Sequence, residues 1–268
     1  MIRHKHDSLA YEQFASFNSV DGLTHAVFTR HGGVSDGHLA SLNVGSTVGD
    51  HPENVQENRR RMLSALDVDP ASVRSSWQVH GSEVLVLTDR APGPEEPIKA
   101  DAIITNQPDL TLEMRFADCV PILLVDPEKR AIGLAHAGWR GTVQGVARRT
   151  VEAMQRAFGS DPAALLAGIG PSIGPDSYEV GPEVIEQVHA YFAPHHPDPQ
   201  SAFVRPPQDA SSNPHLDLWE ANRFDLQQSG VRQIEVAGTC TMIHQEDYFS
   251  HRGAGGKAGR FGVLISLL

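Results

Sequence analysis

The sequence predicts an α+β fold, a single layered mixed-sheet domain spanning residues 1–268, and three observations lead there. Segments with strand character outnumber those with helical character. The two kinds do not alternate one for one, as they would in a doubly wound parallel sheet. Two apolar runs, Val120–Val125 and Ala131–Ala135, flank the polar turn Asp126-Pro127-Glu128-Lys129 and read as a hairpin. A helical stripe over 142–158 (Val143, Val146, Ala147, Thr150, Val151, Met154, Phe158) supplies a face that can cover the sheet. No internal repeat and no linker divides the chain.

Taken in order, residues 1–22 are weakly informative. Thr24–Thr29 alternates as a strand, and a Gly-rich loop follows from His31 to Gly37. Arg30 at that strand end is a candidate anion clamp. Pro52–Leu66 reads as a helix with Asp50 as N-cap, Glu53 reaching back to it, and Val55, Met62, Leu63 and Leu66 as its apolar stripe. Asn58-Arg59-Arg60-Arg61 is read as its solvated face. Val73–His80 and Glu83–Thr88 read as strands around Gly81, and the Pro-rich residues 91–99 as a mobile loop. Ala100–Thr105 and Leu110–Phe116 are further strands leading to the central hairpin.

The helix over 142–158 is expected to aim its positive end at the region of His136 and to favour an anion there. Ala164–Ile169 is a short strand. The glycines at 168, 170 and 174 miss the dinucleotide spacing, so no Rossmann site is read. Pro182–Phe192 is a helix with proline in its first turn. Residues 193–215 read as a long loop in which His195 and His196 are solvated. Leu216–Gln228 is a helix closed by Gly230, and Gln233–Ala237 and Phe261–Leu267 are strands. Gly253–Lys257 sits where a phosphate loop would, but His251 and Ala258 occupy positions that need Gly and Ser or Thr.

A formal charge of −11 argues against a nucleic-acid partner, which needs a basic face. No apolar run reaches the roughly 18 residues of a membrane span, and Met1–Ser8 has no secretory signal character. Two cysteines do not make a disulfide framework, so a cytoplasmic location is expected.

The chemistry gathers at the hairpin. Antiparallel neighbours return to the edge they left, so Cys119 before one run and His136 after the other share an edge. His80 lies upstream in Trp77-Gln78-Val79-His80-Gly81. The spacing of the three matches no local zinc signature. Two chemistries fit them: a three-ligand zinc site with an open position, or a Cys119 thiolate activated by an imidazole that Asp118 or another acid orients. Copper suits the same donors. Cys240 and His244 form a second, local Cys/His pair, read as a buried Cys at a strand end.

At these residues the chain resembles the YfiH-like family, also named the laccase-domain, polyphenol-oxidase or purine nucleoside phosphorylase family. The matching stretches are Trp77–Gly81, Ala117-Asp118-Cys119-Val120-Pro121, His136-Ala137-Gly138-Trp139-Arg140-Gly141, Gly170–Gly174, Thr29–Ser35 and Phe249-Ser250-His251-Arg252. The resemblance implies a fold of the YfiH-like cysteine-hydrolase type. It implies a catalytic and metal-binding trio of His80, Cys119 and His136, holding zinc or copper. It implies phosphorolysis of adenosine, inosine, guanosine and 5′-methylthioadenosine with inorganic phosphate, plus adenosine deamination. Arg30, Arg59 and Arg140 are the candidate phosphate contacts, and Tyr178 and Phe116 the candidate purine-stacking rings. The family's other names leave two alternatives: a cysteine or zinc hydrolase editing peptidoglycan precursors, and a copper-dependent polyphenol oxidase. The partners expected are small purine nucleosides, with the protein a monomer or homodimer.

Overall fold

A computed structural model describes residues 1–91, 96–207 and 212–267. In chain order the strands are β1 (Ile2–His6), β2 (Leu9–Gln13), β3 (Leu23–Phe28), β4 (Val73–Arg74), β5 (Val84–Leu87), β6 (Ala102–Thr105) and β7 (Thr111–Phe116). They continue as β8 (Val120–Asp126), β9 (Ala131–Ala137), β10 (Leu166–Ile169), β11 (Val204–Arg205), β12 (His215–Leu216), β13 (Gln233–Val236) and β14 (Phe261–Leu267). The α-helices are α1 (Pro52–Ala65), α2 (Trp139–Thr142), α3 (Val146–Phe158), α4 (Pro182–Phe192), α5 (Pro199–Phe203) and α6 (Leu218–Gln228). Two sheets of six strands form, ordered β1-β2-β3-β14-β7-β4 and β13-β10-β8-β9-β6-β5. Both are mixed: β4 pairs β7, β5 pairs β6 and β10 pairs β13 in parallel among antiparallel neighbours. The mixed α+β architecture expected from the sequence is therefore present.

The burial pattern explains the layering. In β8 and β9 all seven residues are buried, so each strand serves two cores. Leu123, Val125, Ile132 and Leu134 point at the other sheet and meet Leu112, Met114, Phe116, Phe261, Val263 and Ile265. Val120, Ile122, Leu124, Ala135 and Ala137 point the other way, into a core shared with α3, α4 and α6. The outer face of the first sheet is covered by Met62 and Leu63 of α1 over Ala26, Phe28 and Leu264. The result is four layers: α1, sheet, sheet, helices. Each fully buried Leu, Ile or Phe stabilises this stack by about 1.5–3 kcal/mol relative to exposure.

The hairpin forms as expected, with Val120 opposite Ala137 and Pro121 opposite His136. The Asp126 carboxylate accepts the backbone N–H groups of Glu128 and Lys129 and so shapes the turn.

Several expectations need correction. Residues 1–22 contain the β1–β2 hairpin, whose β1 is largely exposed at a sheet edge and so shows no core-facing run. The strand expected over 73–80 stops at Arg74. The long helix starts at Val146, because Gly145 takes φ +74° and separates it from the four-residue α2. Its missing N-cap side chain is replaced from α6: the Asp225 carboxylate accepts the Arg148 N–H at 3.2 Å. Residues 193–215 hold α5, β11 and the start of β12. His51, not Asp50, occupies the N-cap position of α1, while the Asp50 carboxylate accepts from Ser35 Oγ and Asn43 Nδ2. Asn58 is buried and clamps the Gly-rich loop through Val34 N, Ser35 Oγ and the Ser41 and Asn43 carbonyls. The mobility expected of residues 91–99 falls partly on 92–95, outside the described residues.

Candidate active site

His80, Cys119 and His136 meet at the end of the two-sheet stack. Their ligand atoms all lie within 4.8 Å of one another. His136 is the last inter-sheet residue of β9, one alternation beyond Leu134. Its ring meets Phe116 of the opposite sheet at 5.5 Å between centroids and His80 at 5.0 Å. Cys119 precedes β8. Asp118 beside it takes φ +79°, a conformation Asp tolerates better than most residues. Its carboxylate accepts from Thr241 Oγ1 and from the Arg252 N–H, and its carbonyl accepts the Ile173 N–H. Those bonds fix where the Cys119 side chain starts.

Asp101, wholly buried before β6, organises the rest. Its carboxylate accepts the N–H groups of Val79 (3.1 Å), His80 (2.9 Å) and Gly81 (2.7 Å), and the His136 Nδ1–H (2.9 Å). One carboxylate thus holds the loop that carries one histidine and the ring of the other. A carboxylate can only accept, so His136 carries its proton on Nδ1 and presents Nε2 for coordination. Burial opposes ionisation of Asp101, yet the His136 and backbone hydrogen bonds lower its pKa overall. The acid that orients His136 is therefore Asp101, while Asp118 is committed to Thr241 and Arg252. Gln78 of the same loop ties it to the other sheet. Its amide donates to the Arg115 carbonyl and accepts the Arg115 N–H, extending the edge of β7. His80 can therefore hold φ +60°, which a free loop would avoid.

Gly138 explains the close approach of the trio. A Cβ there would sit 3.0 Å from Cys119 Sγ and 3.2 Å from His80 Cδ2. At Gly141 a Cβ would sit 2.9 Å from the Gly81 carbonyl oxygen, so α2 can touch the His80 loop only without a side chain.

The electrostatics favour a thiolate. Burial alone would raise the Cys119 pKa, but the charge and hydrogen bond of His136, aided by His80, bring it down to about 6. Burial alone would lower that of His136, but Cys119 and Asp101 raise it to about 9. Thiolate and imidazolium stabilise one another, and a thiolate is the form that binds metal. Two imidazoles and a thiolate, one imidazole already oriented by a carboxylate, fit a zinc or copper ion.

The trio opens into a cavity of about 450 Å³, within the size range of small-molecule sites. Arg140 lines it, with its guanidinium 4.4 Å over the Trp139 ring. Arg30 and Arg59 do not line it. Arg30 donates to the Ala40 and Gln245 carbonyls and lies over Phe249, and Arg59 is paired with the buried carboxylate of Glu113. Their places in the wall are taken by Arg115, Arg252 and Arg260, which the sequence reading did not single out as anion contacts. Among the described residues no guanidinium of these three, nor that of Arg140, forms an ion pair with a carboxylate; they donate to hydroxyl and carbonyl oxygens or lie over rings. A −11 protein therefore concentrates in one cavity four guanidinium groups that have no carboxylate ion pair among the described residues. Tyr178 lines the cavity, while Phe116 is 1% exposed and packs in the inter-sheet core. Cys240 accepts the Gly174 N–H and His244 pairs with Glu246, so that second pair stays apart from the site.

The chain is similar to known proteins over nearly its whole length. Residues 24–268 match the family model described as multi-copper polyphenol oxidoreductase laccase. The chain is 36% identical over 267 residues to a purine nucleoside phosphorylase of Bacteroides thetaiotaomicron, covering 96% of each. It is 38% identical over 269 residues to the purine nucleoside phosphorylase YlmD of Bacillus subtilis, covering 97% of this chain and 94% of that one. The crystal structure of YlmD from Geobacillus stearothermophilus superposes with a TM-score of 0.88 at 33% identity, over 98% of this chain and 97% of that one.

Proposed function

The chain belongs to the family described as multi-copper polyphenol oxidoreductase laccase, and we propose that it is a purine nucleoside phosphorylase acting at the His80, Cys119 and His136 site. The observation that carries this reading is the single cavity in which those three residues stand beside Arg115, Arg140, Arg252 and Arg260. Phosphorolysis needs a dianion held against the ribose, and guanidinium groups supply that grip bidentately. An oxygen of inorganic phosphate attacks C1′ and the C1′–N9 bond breaks. Its electron pair leaves with the purine, which takes up a proton, and ribose-1-phosphate is the second product. In this reading the arginines hold the phosphate, and Asp101 keeps His136 in one tautomer. Adenosine, inosine, guanosine and 5′-methylthioadenosine are the substrates proposed.

The same site supports adenosine deamination, in which water adds at C6 and ammonia leaves to give inosine. His80, Cys119 and His136 would hold the metal, and zinc bound there supplies a Lewis acid that activates water near neutral pH. Among the described residues these three are the one cluster of candidate ligands. A multi-copper oxidase needs more donors than that, so the polyphenol-oxidase reading is the weaker one. We take residues 1–268 as one working unit, because Arg115 and His136 bring both sheets into the cavity wall. Among the described residues no helix is long and apolar enough to cross a membrane; the two free cysteines suit a reducing compartment, and we propose a cytoplasmic location on that ground.

The test is incubation of the purified protein with each nucleoside, with and without phosphate, beside Cys119→Ala. Phosphate-dependent release of free base and ribose-1-phosphate, abolished in the variant, is the expected result. Inosine formed from adenosine without phosphate reports the deaminase. Turnover of a muropeptide precursor but of no nucleoside would replace this reading with the cell-wall hydrolase.

A further inference from the structure

Besides the imidazoles of His80, His136 and His251, three large aromatic rings line the cavity: Trp77, Trp139 and Tyr178. Two already carry a cation over the ring and a core contact. Trp139 has the Arg140 guanidinium 4.4 Å over its ring and packs against the helix-side core. Tyr178 has Arg252 5.2 Å over its ring and packs against the same core. Trp77 differs. It is 46% exposed, belongs to none of the hydrophobic cores, and among the described residues carries neither a cation nor another ring over its face. An indole left open in this way keeps a large apolar face in water.

The backbone under that indole is held on every side. Trp77 N–H donates to the Ile98 carbonyl, and its own carbonyl accepts the Ala100 N–H. Ser76 Oγ donates to the Ala100 carbonyl, and Gln78 is bonded to both polar atoms of the Arg115 backbone. Three residues further on, the same loop delivers His80. A rigid loop therefore presents one free ring and one site histidine to the same cavity. Preorganisation of this kind lowers the entropic cost of stacking a planar ligand.

We propose that Trp77 is the stacking platform for the purine base, the residue by which this cavity selects planar bases over other leaving groups. The proposal rests on the nucleoside reading above and adds the subsite for the base, assigning it to Trp77 and not to Tyr178 or Phe116. Stacking a base on an aromatic side chain is worth about 1–3 kcal/mol, which corresponds to a loss of roughly 5- to 150-fold in affinity on truncation.

The test uses the full chain and two variants. Indole fluorescence is followed while inosine, adenosine or inorganic phosphate alone is added, and turnover is measured in parallel. Wild type is expected to be quenched by the nucleosides and not by phosphate. Trp77→Phe keeps a smaller ring, so the nucleoside KM should rise less than in Trp77→Ala, and the quench should shrink to what Trp139 in the same cavity contributes. Trp77→Ala should raise KM for the nucleoside roughly 5- to 150-fold, with KM for phosphate unchanged. Nucleoside turnover in wild type with the same nucleoside KM in Trp77→Ala, or a quench undiminished in Trp77→Phe, overturns the platform and leaves the phosphorylase reading standing. Absence of both quench and turnover in wild type overturns the two together.

Discussion

Each sheet buries one histidine, and the pair behaves in opposite ways. His25 lies in β3 of the first sheet and His136 in β9 of the second, 3% and 4% exposed. His25 Nε2 accepts the Phe14 N–H at 2.8 Å, so its ring has a donor for a partner and must be neutral there. Burial, partly offset by Glu235, pushes its pKa down to about 4. His136 faces two acceptors, the Asp101 carboxylate and the Cys119 sulfur, and its pKa rises to about 9 despite the same burial. Exposure cannot distinguish a core histidine from a site histidine. The sign of the partner can: a donor holds the ring neutral as part of the scaffold, and anionic acceptors leave it able to hold a proton or a metal.

One substitution made at both places gives the largest contrast. His136→Gln keeps a polar side chain of similar size but loses the imidazole. Its phosphorolysis rate is expected to fall about 10³-fold or more, with loss of bound metal by elemental analysis. His25→Gln keeps an acceptor for Phe14 and should retain wild-type turnover at pH 7.5. If both variants lose activity alike, the partner-sign argument is wrong.

The next effect is on stability against pH. The folded pKa of His25, about 4, lies below its unfolded value, about 6.5. Between them the unfolded chain binds more protons, so stability falls as pH drops through that window. The full cost of acidifying to pH 4 is on the order of 3 kcal/mol. His136 has the reverse sign in the metal-free protein: its contribution is complete below about pH 6.5 and fades as pH rises towards 9. Urea denaturation between pH 7 and 4 checks the first statement. The slope should shrink in His25→Gln, and an unchanged slope would assign the acid lability elsewhere.

The histidines also show what the sequence made legible. The hairpin and its two chemical ends followed from local signals, because two apolar runs around an Asp-Pro turn can pair in few ways. His80 was traceable through its motif, while the strand expected around it was not formed. Residues 75–80 make one isolated bridge, Trp77 to Lys99, and otherwise bond to Asp101 and to Arg115, and such long-range bonds leave no periodicity. Asp101 read as an ordinary strand residue for the same reason: its four donors come from two distant segments. The arginines mark the limit most clearly. Arg59 sits in an Arg run that looks solvated, yet it pairs with buried Glu113. Arg115 and Arg260 face the cavity only because the two sheets stack as they do.

The smallest predicted effect sharpens the comparison at its cause. If the acceptor beside His136 sets its character, Asp101→Asn should weaken metal binding about 10- to 100-fold, since Asn loses the charge and turns an NH2 towards two of the four donors. The metal-stripped proteins give a second readout. In wild type, alkylation of Cys119 by iodoacetamide should rise through a midpoint near pH 6, because His136 stabilises the thiolate. Without the Asp101 charge the imidazolium is less stable, and the midpoint should move up towards the ordinary thiol range near 8.5. His25→Gln is the control and should leave the midpoint where it was. A midpoint that stays near pH 6 in Asp101→Asn would mean that His136 and Cys119 stabilise each other unaided, leaving Asp101 to position the loop and the ring.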